Sequence, residues 1–316
     1  MSAPLIQTID LKKYFKTSAG YLHAVDGVNI AIPQGMTLGV VGESGCGKST
    51  LGRVILRLLD ATDGKVLYKG EDILAYGKDQ MHTLRQELSI IFQDPYSSLN
   101  PRMSVAELIA EPIRVNKIYR TRKEMAERVL ELMDTVGLAS RLEDAYPHEL
   151  DGGRRQRIGI ARALSVNPDF VVCDEPVSAL DVSIQAQILN LLKDLQDNMG
   201  LTYMFITHDL SVVKHISNEI TVMYLGQCVE LSPSGELFKN PLHPYTKALL
   251  SSIQEPNLNS RVKKKDIIRG EVTSPINPEP GCRFIDRCPH GKPACREPVG
   301  LQDLGGGHQV ACTLYQ

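Results

Sequence analysis

Eight consecutive residues, Gly42-Glu43-Ser44-Gly45-Cys46-Gly47-Lys48-Ser49, have the spacing G-x-x-x-x-G-K-[ST] and constrain the surrounding fold more than any other part of the chain. The preceding Thr37-Leu38-Gly39-Val40-Val41 is a short apolar run typical of a buried strand. Ser49 to Leu59 continues with apolar residues at helical spacing. Strand, glycine-rich loop and helix, in that order, form the context in which such a loop cradles phosphate. The glycines let backbone N–H groups curl around phosphate oxygens, Lys48 adds a point charge toward the β and γ phosphates, and Ser49 can ligate Mg²⁺. Thr50 completes the candidate nucleotide-binding positions.

A matching acidic site lies downstream. Phe170-Val171-Val172-Cys173 reads as a second buried strand that delivers Asp174 and Glu175 to its C-terminal end, where α/β sheets bind ligands. Asp174 is expected to hold Mg²⁺, directly or through water, and Glu175 to polarise an attacking water as general base.

The rest of the pattern is that of an α/β protein. Leu5 to Ile32 alternates apolar and polar residues between turn signals, which predicts antiparallel edge strands. Helical spacing over Glu107 to Val115, Lys123 to Val136 and Arg154 to Leu164 predicts an inserted helical subdomain at about 94–166. A helix from Ile184 to Met199 and a strand at Thr202-Tyr203-Met204-Phe205-Ile206 imply a parallel sheet. Beyond Leu231, 10 of the 18 prolines accumulate, which predicts mostly irregular structure. The domain boundaries expected are therefore 1–230 and 231–316.

The formal charge of −2 lacks the global positive field expected of a nucleic-acid binder. No apolar run reaches the roughly 18 residues that span a bilayer, and the start lacks the order of a signal peptide. A cytoplasmic location is expected. Four of the seven cysteines fall in the last 35 residues. Cys282, Cys288, Cys295 and Cys312 supply four soft ligands that suit either an iron–sulfur cluster or Zn²⁺.

In order and spacing these motifs resemble the ABC transporter ATPases. The resemblance implies a P-loop NTPase core with an N-terminal antiparallel β subdomain, the helical insertion, and a short irregular metal-binding extension. It also implies ATP and Mg²⁺ as ligands. Gln93 in Ile91-Phe92-Gln93-Asp94-Pro95 resembles the Q-loop residue that touches the metal and the attacking water. Asp181 resembles the D-loop aspartate, His208 the switch histidine that contacts the γ phosphate, and Tyr14 the aromatic that stacks on adenine, with Phe15 as the neighbouring alternative.

The family's signature segment, usually L-S-G-G-Q, is here Leu150-Asp151-Gly152-Gly153-Arg154. In the family it crosses a dimer interface to the partner's nucleotide. A carboxylate at the serine position repels phosphate unless a cation such as Arg154 compensates. Either one of two sites is degenerate in a pair with a different ATPase subunit, or Asp151 and Arg154 form a working variant.

The tail, with Asn240-Pro241-Leu242-His243-Pro244-Tyr245-Thr246 before it, resembles the extension of dipeptide and oligopeptide importer ATPases. That resemblance implies a [4Fe–4S] cluster on the four cysteines. It also implies two integral membrane permease subunits, an extracellular substrate-binding protein, and a place on the cytoplasmic face of the membrane. Related subunits serve nickel, glutathione or other solutes. Other classes to weigh are a soluble ABC ATPase acting on nucleic acid or in translation, which usually carries long coiled coils or two cassettes, and a non-hydrolysing assembly module. The basic run Arg261-Val262-Lys263-Lys264-Lys265 carries no assigned role.

Overall fold

The computed structural model describes residues 3–252, 270 and 273–316. The basic run at Lys263-Lys264-Lys265 lies outside the described residues. In chain order the first half contains β1 (Ile6–Thr17), β2 (Gly20–Ile32), β3 (Thr37–Val41), α1 (Lys48–Ile55), β4 (Asp63–Tyr68), β5 (Glu71–Asp72), α2 (Lys78–Glu87), β6 (Leu88–Ile91), α3 (Pro95–Ser98), α4 (Val105–Val115) and α5 (Arg122–Thr135). There follow α6 (Gly152–Leu164), β7 (Phe170–Asp174), α7 (Val182–Met199), β8 (Thr202–Ile206), α8 (Leu210–Ile216), β9 (Glu219–Tyr224), β10 (Gln227–Pro233), α9 (Ser234–Lys239), α10 (Pro244–Ser251), β11 (Gln302–Asp303) and β12 (Gln309–Val310).

The chain divides into two compact units. One comprises Met1–Ile32, Thr37–Leu74 and Thr207–Gln316. Its first sheet runs β2-β1-β4-β5 with every neighbour antiparallel, as the alternating N-terminal pattern predicts. In the same unit β3 pairs in parallel with β9, β9 in antiparallel with β10, and β10 with β12. All five residues of β3 are buried, which accounts for the unbroken apolar run before the glycine-rich loop. Helix α1 stops at Ile55, short of the predicted Leu59, because Arg57 takes a left-handed backbone (φ 52°) that no helix continues.

The other unit comprises Pro33–Met36 and Ala75–Ile206. Strands β6, β7 and β8 pair in parallel, and every residue of β7 and β8 is buried. The helical insertion holds α3 to α6. Its helices begin where their caps do: Ser104 with Glu107 and Thr121 with Glu124 form reciprocal capping boxes at α4 and α5. Val105, Leu108, Ile109 and Ile113 give α4 its buried stripe.

The tail is more regular than its composition predicts. It contains helices α9 and α10, and β11 and β12 extend the strands of the first unit. A short strand needs only a free edge to pair with, and β10 supplies one, so local composition carries little of the signal. The buried Glu230 carboxylate anchors the return, accepting from the N–H groups of Leu242 and His243 at 2.8 Å and pairing with His308 at 2.8 Å.

Candidate nucleotide site

The phosphate loop belongs to the first unit. A Cβ at Gly47 (φ 104°) would stand 1.9 Å from Ala24 O, and one at Gly42 (φ 154°) 2.2 Å from Met223 O. Close backbone approach and left-handed geometry together require glycine at both places. Gly47 caps α1 without a side-chain acceptor, so the first-turn N–H groups at Lys48, Ser49 and Thr50 lie at the loop. Buried Lys48 folds its Nζ back onto Gly42 O and Glu43 O, at 2.9 Å each. Burial pushes the Cys46 thiol up, so it is a packing group behind the loop. His208 is exposed, and the neighbouring Thr207 N–H is tied to Val40 O of β3 at 3.1 Å.

Asp174, Glu175 and Gln93 belong to the other unit. Asp174 ends β7 and is buried. Glu175 has a left-handed backbone (φ 46°), unusual for a non-glycine residue, and its N–H donates to Ile206 O at 2.9 Å. Gln93 Nε2 donates to Glu175 Oε2 at 2.9 Å. These two expected site residues therefore meet.

The signature segment and the Asp181 turn also meet within this unit. Asp151 caps α6 by accepting from the Arg154 N–H at 2.8 Å, and the Arg154 guanidinium stands 3.4 Å from its second oxygen. Both side chains are substantially exposed, so the pair adds little stability but does partner the carboxylate. A Cβ on Gly152 would lie 3.3 Å from Leu180, and one on buried Gly153 2.9 Å from Ile184. Asp181 itself caps α7 through Ile184 N–H at 3.0 Å.

Tyr14 is less free than the adenine-stacking role implies. One face of its ring stacks on His23 at 3.8 Å, and its hydroxyl bonds Asp26. Arg283, from the cysteine-bearing tail, pairs with the same Asp26. Burial alone would raise the Asp26 carboxyl, but hydrogen bonds from Tyr14 and His23 and the Arg283 charge hold it below its ordinary value.

The four tail cysteines border one pocket, together with His243, His290 and Thr313. Burial pushes the Cys282 thiol up to about 11, and the other three thiols add to the shift. Four thiols bordering one pocket are soft donors that suit a cationic occupant chemically. Among the described residues, however, no group of three or more His, Cys, Asp or Glu side chains is arranged to hold a metal ion.

Sequence reasoning missed Asp26, Tyr224, Arg283 and Arg287. Arg287 bonds Glu43 of the phosphate loop across 244 residues of sequence, and no local pattern marks such a pair.

Residues 25–178 match the ABC transporter family, and residues 229–295 match the oligopeptide/dipeptide transporter C-terminal region. The fold resembles the dimeric ATP-binding cassette MJ0796 solved in a post-hydrolysis state with ADP and Pi. The TM-score is 0.67 at 28% identity, over 72% of this chain and 98% of that one. Fold, loop and family match together define an ABC-type ATPase. The oligopeptide transport ATP-binding protein OppF of Bacillus subtilis (strain 168) is 54% identical over 99% of this chain and 97% of its own length. OppF of Salmonella typhimurium is 50% identical (98% and 95%), and the dipeptide transport ATP-binding protein DppF of Haemophilus influenzae 47% (98% and 97%). The chain belongs to this oligopeptide/dipeptide branch of the ABC transporter ATP-binding subunits.

Proposed function

We propose that this chain hydrolyses ATP to drive uptake of dipeptides or oligopeptides through two membrane permease subunits, working at the cytoplasmic face of the membrane with an extracellular substrate-binding protein. The likeness to peptide-transporter subunits across 99% of the chain, tail included, carries this reading. Among the described residues no helix is long and apolar enough to cross a membrane.

In this reading the main-chain N–H groups from Gly42 to Thr50 and the Lys48 ammonium bind the ATP phosphates. Ser49, Gln93 and Asp174 hold Mg²⁺, which supplies charge neutralisation on the phosphates when bound. Glu175 takes the proton of the attacking water, Gln93 orients Glu175 and the water, and His208 contacts the γ phosphate. Tyr14 offers its remaining ring face to adenine. Asp151, Gly152, Gly153, Arg154 and Asp181 form the face toward a second, different ATPase subunit. The exposed Arg154 beside Asp151 supports the working-variant reading of the signature.

Cys282, Cys288, Cys295 and Cys312 are the residues that would hold a [4Fe–4S] cluster, or Zn²⁺ as the alternative, once drawn together from their present arrangement; either group would cross-link the tail through thiolates. Iron and acid-labile sulfide in the purified chain would support the cluster, and zinc without sulfide would replace it. For transport, the decisive assay is uptake of labelled di- and oligopeptides by proteoliposomes containing this chain and its co-purifying membrane subunits. ATP-dependent peptide uptake supports the reading; uptake of nickel or glutathione in its place overturns the cargo assignment.

A further inference from the structure

The phosphate loop contains an acid, Glu43, in a segment that must accept a polyanion. Left to itself, that carboxylate would oppose ATP by Coulomb repulsion. Arg287, from the tail turn Ile285–Arg287, grips both of its oxygens, with Nη1 to Oε2 at 3.0 Å and Nη2 to Oε1 at 3.3 Å. The arginine is itself held: Nη1 also donates to the Tyr224 hydroxyl at 3.1 Å, and the guanidinium lies 5.8 Å from the Tyr224 ring and 6.0 Å from that of Phe284. Its side chain is only 9% exposed, against 29% for Glu43. The main chain is fixed from the same side, because Glu43 N–H donates to the Tyr245 hydroxyl of α10 at 2.8 Å. All of these residues lie in the first unit.

We propose that Arg287 is a positioning residue for nucleotide binding, which neutralises Glu43 and holds its carboxylate aside so that the phosphate loop can receive ATP. Cys282 and Cys288 flank the turn that presents Arg287, so anything that fixes those cysteines also fixes the arginine. This gives the extension beyond Leu231 a task at the nucleotide site. The inference rests on the loop binding ATP, which the unmutated chain tests separately in the same titration.

The test is titration of the full-length chain with trinitrophenyl-ATP, comparing the unmutated protein, Arg287→Ala, and Arg287→Ala combined with Glu43→Gln. Loss of a charge-assisted bidentate pair should weaken binding about tenfold in Arg287→Ala. The double variant, having lost the repelling carboxylate, should regain most of that affinity, whereas a merely structural role for Arg287 gives no such rescue. Arg287→Lys keeps the charge but loses the bidentate fork, and its affinity is expected to fall between that of the unmutated chain and that of Arg287→Ala. Should Arg287→Ala fail to fold, Arg287→Gln with and without Glu43→Gln makes the same comparison. Unchanged affinity in the single variant, or a double variant as weak as the single, overturns the proposal.

Discussion

Gln93 Nε2 donates to Glu175 Oε2 at 2.9 Å, and the Glu175 backbone is held left-handed by its N–H bond to Ile206 O. The carboxylate expected to act as base is therefore aimed by a side chain 82 residues earlier and by a backbone turn that ordinary residues avoid.

Replacing Glu175 with Gln removes the proton acceptor but leaves an amide of the same shape beside Gln93. Phosphate release by the purified transporter complex should fall by roughly 10²- to 10⁴-fold while ATP still binds. Unaltered turnover would move the chemistry to the partner subunit's site.

Lys48 is the buried cation of the loop, and its ammonium also ties the Gly42 and Glu43 carbonyls together. Lys48→Ala is expected to weaken ATP binding by at least about tenfold, since a charge-assisted contact to phosphate is lost. Calorimetric titration with ATP reads this directly.

Asp151 has a local duty whatever it does for nucleotide. As the N-cap of α6 it satisfies the Arg154 N–H, so Asp151→Ala should cost about 1 kcal/mol in urea denaturation. Asp151→Ser keeps a capping oxygen and should stay within a few tenths of a kcal/mol of the unmutated chain. An equal loss in both variants would mean that the ion pair with Arg154 dominates over the cap.

His243 gives a pH dependence with a definite sign. Burial, reinforced by the Lys247 charge, pushes its imidazole down from 6.5 to about 4, and its Nδ1 accepts from Tyr245 N–H at 3.1 Å. Below 6.5 the unfolded chain takes up a proton that the folded chain refuses until about pH 4. The contribution of neutral His243, on the order of 3 kcal/mol, is thus present above 6.5 and lost as pH falls through that window. The urea midpoint should drop more steeply from pH 7 to pH 5 in the unmutated chain than in His243→Asn, which keeps a capping acceptor. Parallel slopes would exclude His243 as the source.

Several features are legible in the amino-acid order because their signals are local. The phosphate loop declares itself within eight residues, and its glycines at Gly42 and Gly47 stand at positive φ against the Met223 and Ala24 carbonyls, where no Cβ fits. The strands β3, β7 and β8 are buried throughout and read as unbroken apolar runs, and α4 and α5 begin at capping boxes whose partners stand three residues apart. Strand β6, by contrast, has two half-exposed residues among its four and gives no distinct strand signal between the helical patterns around it.

Sequence alone thus determined the α/β class, the nucleotide loop, the acidic pair at the end of β7 and the family of the tail, because each depends on residues close together in the chain. Only the tertiary structure decided that one face of Tyr14 is covered by His23, that Arg283 reaches Asp26, and that Arg287 grips Glu43. Those pairings join residues up to 257 positions apart, and a charge or an aromatic ring carries no mark of its distant partner until the chain has folded.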